Sequence, residues 1–217
     1  MSKSFGLCGL ILSAGQSSRM GSDKALLPWP PNKSALTVQE TFLSANIKAL
    51  QSLTDKVLVV VGRNKERLVS IIQAADASMV ENSDPDRGQF SSLRVGLDEV
   101  LRLEFSAAMI FPIDSPPLAH PSLEKLYFTF IKARERDIWG VAPKNGDKRG
   151  HPLLAGRELI EAFLDAPANS NARQVRNDCS GNIEYVEIAD PFVGLNVNTP
   201  EEYAELCKLV EDRQYQA

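Results

Sequence analysis

Short, nearly unbroken apolar runs alternate with stretches of helical periodicity along this chain, and that alternation limits the folds open to it. Leu7–Ser13, Lys56–Val61, Ser78–Val80, Ala107–Phe111 and Ile138–Ala142 read as strands. Apolar runs of this kind suit strands covered on both faces. Between them the spacing predicts helices over Glu66–Ala75, Ser91–Leu103, Pro121–Arg134 and Arg157–Leu164. Thr37-Val38-Gln39-Glu40 reads as a capping box opening a further helix to about Leu50. Ile183–Ile188 alternates as an edge strand would, and Thr199-Pro200-Glu201-Glu202 sets a cap, a first-turn proline and a glutamate before a last helix to about Asp212. This order predicts an α/β chain with a mostly parallel sheet and helices on both faces. Pro28–Lys33 reads as a surface loop, too short for a linker, so residues 1–217 are expected to form a single domain.

Ligands on such sheets sit at the carboxyl ends of the strands, so the residues just after each strand carry the functional argument. What surrounds them narrows the classes. A net charge of −4 gives no global field to draw in nucleic acid, so no nucleic-acid partner is expected. No apolar run is long enough to span a bilayer, and Met1–Gly6 lacks the charged start and apolar stretch of a secretory signal; the expected location is cytoplasmic, with no membrane partner. Cys8, Cys179 and Cys207 are scattered without a CxxC pair, which supports neither a zinc knuckle nor a disulfide framework.

The first strand leads into Leu12-Ser13-Ala14-Gly15-Gln16-Ser17-Ser18-Arg19-Met20-Gly21-Ser22-Asp23-Lys24. Its small residues let backbone amides turn toward a ligand, and a concave row of N–H groups binds phosphate. Arg19 and Lys24 add charge beside it. Ser22 follows Gly21 where a P-loop needs lysine, and the glycines are too few and too far apart for the dinucleotide fingerprint.

Further along, Asn82–Leu93 is a polar loop running into a helix that Ser91 or Ser92 can cap, and Gly88 permits close backbone approach. Asp114 follows an apolar strand in Phe111-Pro112-Ile113-Asp114-Ser115-Pro116-Pro117-Leu118. It can ligate a hard cation or form a turn. Pro143–Pro152 gathers three cations and His151, as either a solvated hairpin or a binding loop; His120 reads as structural.

Together these segments resemble the NTP transferases of the molybdenum cofactor nucleotidyltransferase (MobA-like) family. Leu12–Pro28 is similar to its L-x-A-G-x-S-x-R-M-G-x-x-K-x-L-L-P signature, with Ser13 where alanine is usual. Gly88–Leu97 resembles G-x-x-S-S-L-x-x-G-L, Pro112–Leu118 resembles P-x-D-x-P-x-L, and Arg149–Leu154 resembles the R-G-H-P-x-L of the cytidylyltransferase branch. Gly194–Tyr203 is similar to a strand-to-helix motif whose two aspartates are here Asn196 and Asn198, a form found in the guanylyltransferase branch.

The resemblance implies a three-layer α/β/α, Rossmann-like nucleotide-binding fold of the GT-A nucleotidyltransferase type. It implies a Mg²⁺-dependent enzyme that moves CMP, or next GMP, from CTP or GTP onto a phosphorylated acceptor such as molybdopterin, releasing pyrophosphate, with a molybdoenzyme or cofactor-insertion protein as a possible partner. It assigns nucleotide binding to Leu12, Ser13, Ala14, Gly15, Arg19, Lys24, Gly88 and Ser92, and catalysis to Lys24, Arg19 and Asp114. It assigns Mg²⁺ to Asp114 with Asn196, and acceptor binding to Arg149 and His151. Transfer to sugar phosphates or methylerythritol phosphate is the neighbouring alternative. A non-catalytic nucleotide- or pterin-binding module, supported by Asn196 and Asn198 alone, is the alternative of another class.

Overall fold

The structure, a computed structural model, describes residues 6–15, 17, 19–30, 40–167 and 169–214. In chain order the elements are β1 (Leu7–Leu12), β2 (Pro28–Trp29), β3 (Glu40–Thr41), α1 (Phe42–Gln51), β4 (Lys56–Val61), α2 (Lys65–Ala74), β5 (Ser78–Glu81), α3 (Gln89–Arg102), β6 (Ala107–Pro112), α4 (His120–Arg134), β7 (Gly140–Asn145), β8 (Lys148–Arg149), β9 (Leu153–Gly156), α5 (Arg157–Asp165), α6 (Ala172–Asp178), β10 (Ile183–Glu187) and α7 (Pro200–Gln214). Eight strands form one sheet in the order β10-β7-β9-β6-β1-β4-β5, with β8 beside β7. The pairs β4–β5, β1–β4, β1–β6 and β7–β10 are parallel. β9 runs antiparallel between β6 and β7, and β8 antiparallel to β7. β2 and β3 make a separate antiparallel ribbon.

Period-two alternation divides the apolar runs between two layers. Leu7 and Ile11 of β1, with Val57, Val59 and Val61 of β4, pack under α1, α2, α4 and α7. Cys8, Leu10 and Leu12, with Leu58 and Val60, pack under α3, α5 and α6. All six residues of β1 are buried, which is why the run needs no polar face. The expected three-layer α/β/α arrangement and mostly parallel sheet are therefore present.

Three local expectations change. The cap of α1 is Thr41, whose hydroxyl accepts from Ser44 N at 3.1 Å while Ser44 Oγ accepts from Thr41 N at 2.8 Å. The box expected at Thr37–Glu40 falls largely on residues 37–39, outside the described residues, and Glu40 is strand. Neither Ser91 nor Ser92 caps α3. The helix opens at Gln89 behind Gly88, at φ 90°, and no side chain caps it. A Cβ is strained in that left-handed region, so glycine suits the corner. Pro28 and Trp29, expected in a loop, pair instead with β3. Thr199 does hold the start of α7: Glu202 N donates to Thr199 Oγ1 at 3.3 Å and Thr199 N donates to Glu202 Oε2 at 3.2 Å.

Register sets what meets at the sheet's edge. Leu12 lies beside Val60 on one side and Pro112 on the other. The loop beginning at Ser13, the turn beginning at Gly62 and the turn carrying Asp114 therefore leave the sheet side by side.

Candidate active site

The loop after β1 is shaped from beneath. Ser13 N donates to Val60 O at 2.8 Å, which carries the strand pairing one residue past β1. Asn64, in the turn after β4, donates from Nδ2 to Ser13 O at 2.9 Å and to Asp23 Oδ2 at 3.0 Å. One side chain thus ties both ends of the loop. Asp23 in turn accepts from Ala25 N at 3.1 Å and caps a short 3-10 turn, Lys24–Leu26. Gly62 stands behind: a Cβ there would lie 2.8 Å from Ala14 O, closer than such atoms approach.

Lys24 is directed into a cleft. Its Nζ lies 2.7 Å from Asn198 Oδ1 and 3.9 Å from Asp114 Oδ2. Burial lowers the Lys24 pKa, opposed by Asp114 and reinforced by Arg19. Burial raises the Asp114 pKa, opposed chiefly by Lys24. Each charge is poorly solvated, and each is the other's nearest compensation. A cavity of about 250 Å³ is lined by Leu12, Ala14, Gly15, Arg19, Lys24, Gly88, Ser92, Asp114 and Asn198, among others. Of the residues expected to hold nucleotide, only Ser13 is absent from this lining. It is buried under the loop, with its hydroxyl lacking a partner among the described residues.

The two asparagines separate. Asn198 shares the cleft with Asp114, whereas Asn196 accepts from Ser115 Oγ at 3.2 Å and lines a neighbouring cavity of about 370 Å³. Val197 N, between them, donates to Asp114 O at 2.7 Å and locks the two turns together. Arg149 and His151 also line the neighbouring cavity. The Arg149 guanidinium sits 4.1 Å from the Tyr185 ring centre. Burial, helped by Arg176, pushes the His151 pKa down to about 4, so the ring is neutral at pH 7.

For a cation, the corner offers one carboxylate and amide oxygens, with no nitrogen or sulfur set. Among the described residues no three His, Cys, Asp or Glu side chains group as a metal cage. That donor chemistry fits a hard ion such as Mg²⁺, which takes one or two carboxylates and completes its shell with phosphate oxygens and water.

Several supporting residues escape a motif-based reading. Asn64 and Gly62 follow a strand end, a position that the carboxyl-edge rule marks without saying which residue matters. Asn82 is buried and donates to Ser91 Oγ at 2.9 Å and Ser92 Oγ at 3.0 Å, fixing the first turn of α3 to the loop before it. Arg173 and Arg176, on α6, line the neighbouring cavity and stand in no motif.

Residues 9–183 match the family described as MobA-like NTP transferase domain. The molybdenum cofactor cytidylyltransferase of Escherichia coli is 24% identical over 195 residues, covering 89% of this chain and 92% of that protein. A probable molybdenum cofactor guanylyltransferase of Bacillus cereus is 26% identical over 213 residues, covering 92% and 95%. In fold, Rv0371c of Mycobacterium tuberculosis superposes with a TM-score of 0.75 at 22% identity, over 94% of this chain and 97% of that one. A second structure of that protein, in complex with manganese, gives a TM-score of 0.72 at 19% identity over 94% and 98%.

Proposed function

Because this chain belongs to the MobA-like NTP transferase family and is a nucleotidyltransferase, we propose that it transfers CMP, or next GMP, from the NTP to molybdopterin in the presence of Mg²⁺. The observation that carries this reading is the convergence of Lys24 on Asp114 and Asn198, inside the cavity that the Leu12–Gly15 loop and Gly88 also line. The Arg149–Leu154 segment favours the cytidylyl form.

The chemistry is attack of the acceptor phosphate on the α-phosphorus of the NTP, with pyrophosphate departing from the opposite side. Two anions approach each other, so the site's work is positioning and charge neutralisation. Ala14 and Gly15 line the cleft from the loop, and Arg19 brings charge from further along it. Lys24, held by Asn198, places an ammonium where charge builds on the α-phosphate and the leaving group. Asp114, with Asn198 beside it, would hold Mg²⁺ through oxygen, whereas Asn196, expected to share that role, lines the neighbouring cavity with its Oδ1 accepting from Ser115 Oγ. When bound, the ion neutralises and polarises the phosphates. His151 is neutral and the attacking group is already an anion, so no base is required.

Lys24→Ala should lower the rate of pyrophosphate release by about 10²–10³, as loss of one such donor does, while the circular dichroism spectrum stays unchanged. Release would be followed with CTP and GTP in parallel, with Mg²⁺ and molybdopterin. Undiminished turnover in the variant would remove Lys24 from the site. No release with either nucleotide would end the transfer reading.

A further inference from the structure

The cavity beside the nucleotide cleft is cationic in a chain whose net charge is −4. Arg149, Arg173 and Arg176 line it, and no Asp or Glu does. It meets a third cavity of about 410 Å³ at His151, Arg173 and Arg176, which is likewise free of lining carboxylates. Arg173 and Arg176 are three apart on α6 and so share a helix face. Neither makes an ion pair or hydrogen bond among the described residues. Buried Val175 anchors the helix that carries them. Where the two cavities join, His151 Nδ1 is buried without a partner among the described residues. Buried polar atoms are normally paired, and one left open on a cavity wall is available to a ligand.

We propose that Arg173 and Arg176 of α6, with Arg149, grip the phosphate monoester of the acceptor, and that His151 Nδ1 hydrogen-bonds the same molecule. The inference deepens, and rests on, the nucleotidyltransferase reading. Guanidinium groups fork onto phosphate oxygens, and three of them without carboxylates match a dianion. Placement agrees with the chemistry. Ser115 and Asn196 line this cavity while their neighbours Asp114 and Asn198 line the nucleotide cleft, so a phosphate held by the arginines stands at the border of the two. The third cavity adds Phe90, Leu153 and Phe163, an apolar bed for the uncharged body of the acceptor.

Methyl phosphate serves as the probe, titrated by calorimetry into the full chain loaded with Mg²⁺ and a non-hydrolysable CTP analogue, so that the first cleft is filled. The loaded wild type should bind it, and Arg173→Ala/Arg176→Ala should bind it about tenfold or more weakly, as loss of charge-assisted contacts predicts. Affinity for the CTP analogue and the melting temperature should not change, and R176K should keep part of the binding. Should the double variant fold poorly, Arg173→Ala alone carries the test, since that side chain is exposed and unpaired. Equal methyl phosphate affinity in variant and wild type overturns the proposal, as does no binding to the wild type. Loss of CTP-analogue affinity in the variant also overturns it, because the arginines would then serve the nucleotide. The nucleotidyltransferase reading fails by a different result, when neither CTP nor GTP binds the unmodified chain; methyl phosphate titrated into the unloaded chain still reads the arginines.

Discussion

Single residues set the working range of this site in pH. Burial raises the Asp114 pKa and lowers that of Lys24, so each is neutral over a wider span than its ordinary value allows. In the proposed mechanism the rate needs the carboxylate charged and the ammonium charged. The acid limb of the pH–rate profile should therefore lie above the usual carboxylate range, and the alkaline limb below the usual lysine range. Added Mg²⁺ should move the acid limb downward, because the cation favours the ionised carboxylate. A profile with both limbs at ordinary values, indifferent to Mg²⁺, would contradict the burial argument. The sign for stability is opposite. With folded pKa raised, the contribution of protonated Asp114 is fully present below the unfolded value and is lost as pH rises through the folded one. At this scale the sequence was most legible where a charged residue interrupts small ones: Arg19, Lys24 and Asp114 meet in one cleft. It was least legible for Asn64 and Asn82, because an asparagine that braces a loop has no pattern of its own; its partners lie 41 and 10 residues away. Nor could spacing tell Asn196 from Asn198, two residues that flank one backbone hydrogen bond and line different cavities.

Elements were read most reliably where burial on both faces leaves a continuous apolar run or where a helix is long. β1, β4 and β6, and helices α2, α3, α4, α5 and α7, lie within a residue or two of their expected positions. β9 and α6 were not anticipated. β9 has four residues between the hairpin and α5, and α6 has seven, too few for a 3.6-residue period to declare itself. Both border the side proposed for the acceptor, so that side is described by geometry more than by pattern. The turns between elements carry the proposed site, and their spacing is tight. A Cβ at Gly62 would meet Ala14 O at 2.8 Å and Pro85 Cβ at 3.1 Å, pressing on the loop after β1 and on the loop leading to Gly88 at once. Gly62→Ala should lower kcat/KM by about 10–100-fold, since small displacements of a positioning loop are costly. Far-ultraviolet circular dichroism should be unchanged. Wild-type kinetics in that variant would show that the loop relaxes without harm.

On the scale of the whole molecule, β9 has the largest consequence. It hydrogen-bonds to β6, which ends beside Asp114, and to β7, which leads to the Arg149 hairpin. The two cavities proposed for nucleotide and acceptor therefore stand on one continuous sheet. Amides of β6, β9 and β7 should exchange with deuterium at similar slow rates, and unfolding should show one transition, as expected of one cooperative unit. Two resolved transitions would divide the chain into separate units. A shared slab leaves no separate domains to close on the two reactants. On the proposed reading the donor and the incoming phosphate would then be aligned by one anvil, with any closing stroke left to the turns along its rim.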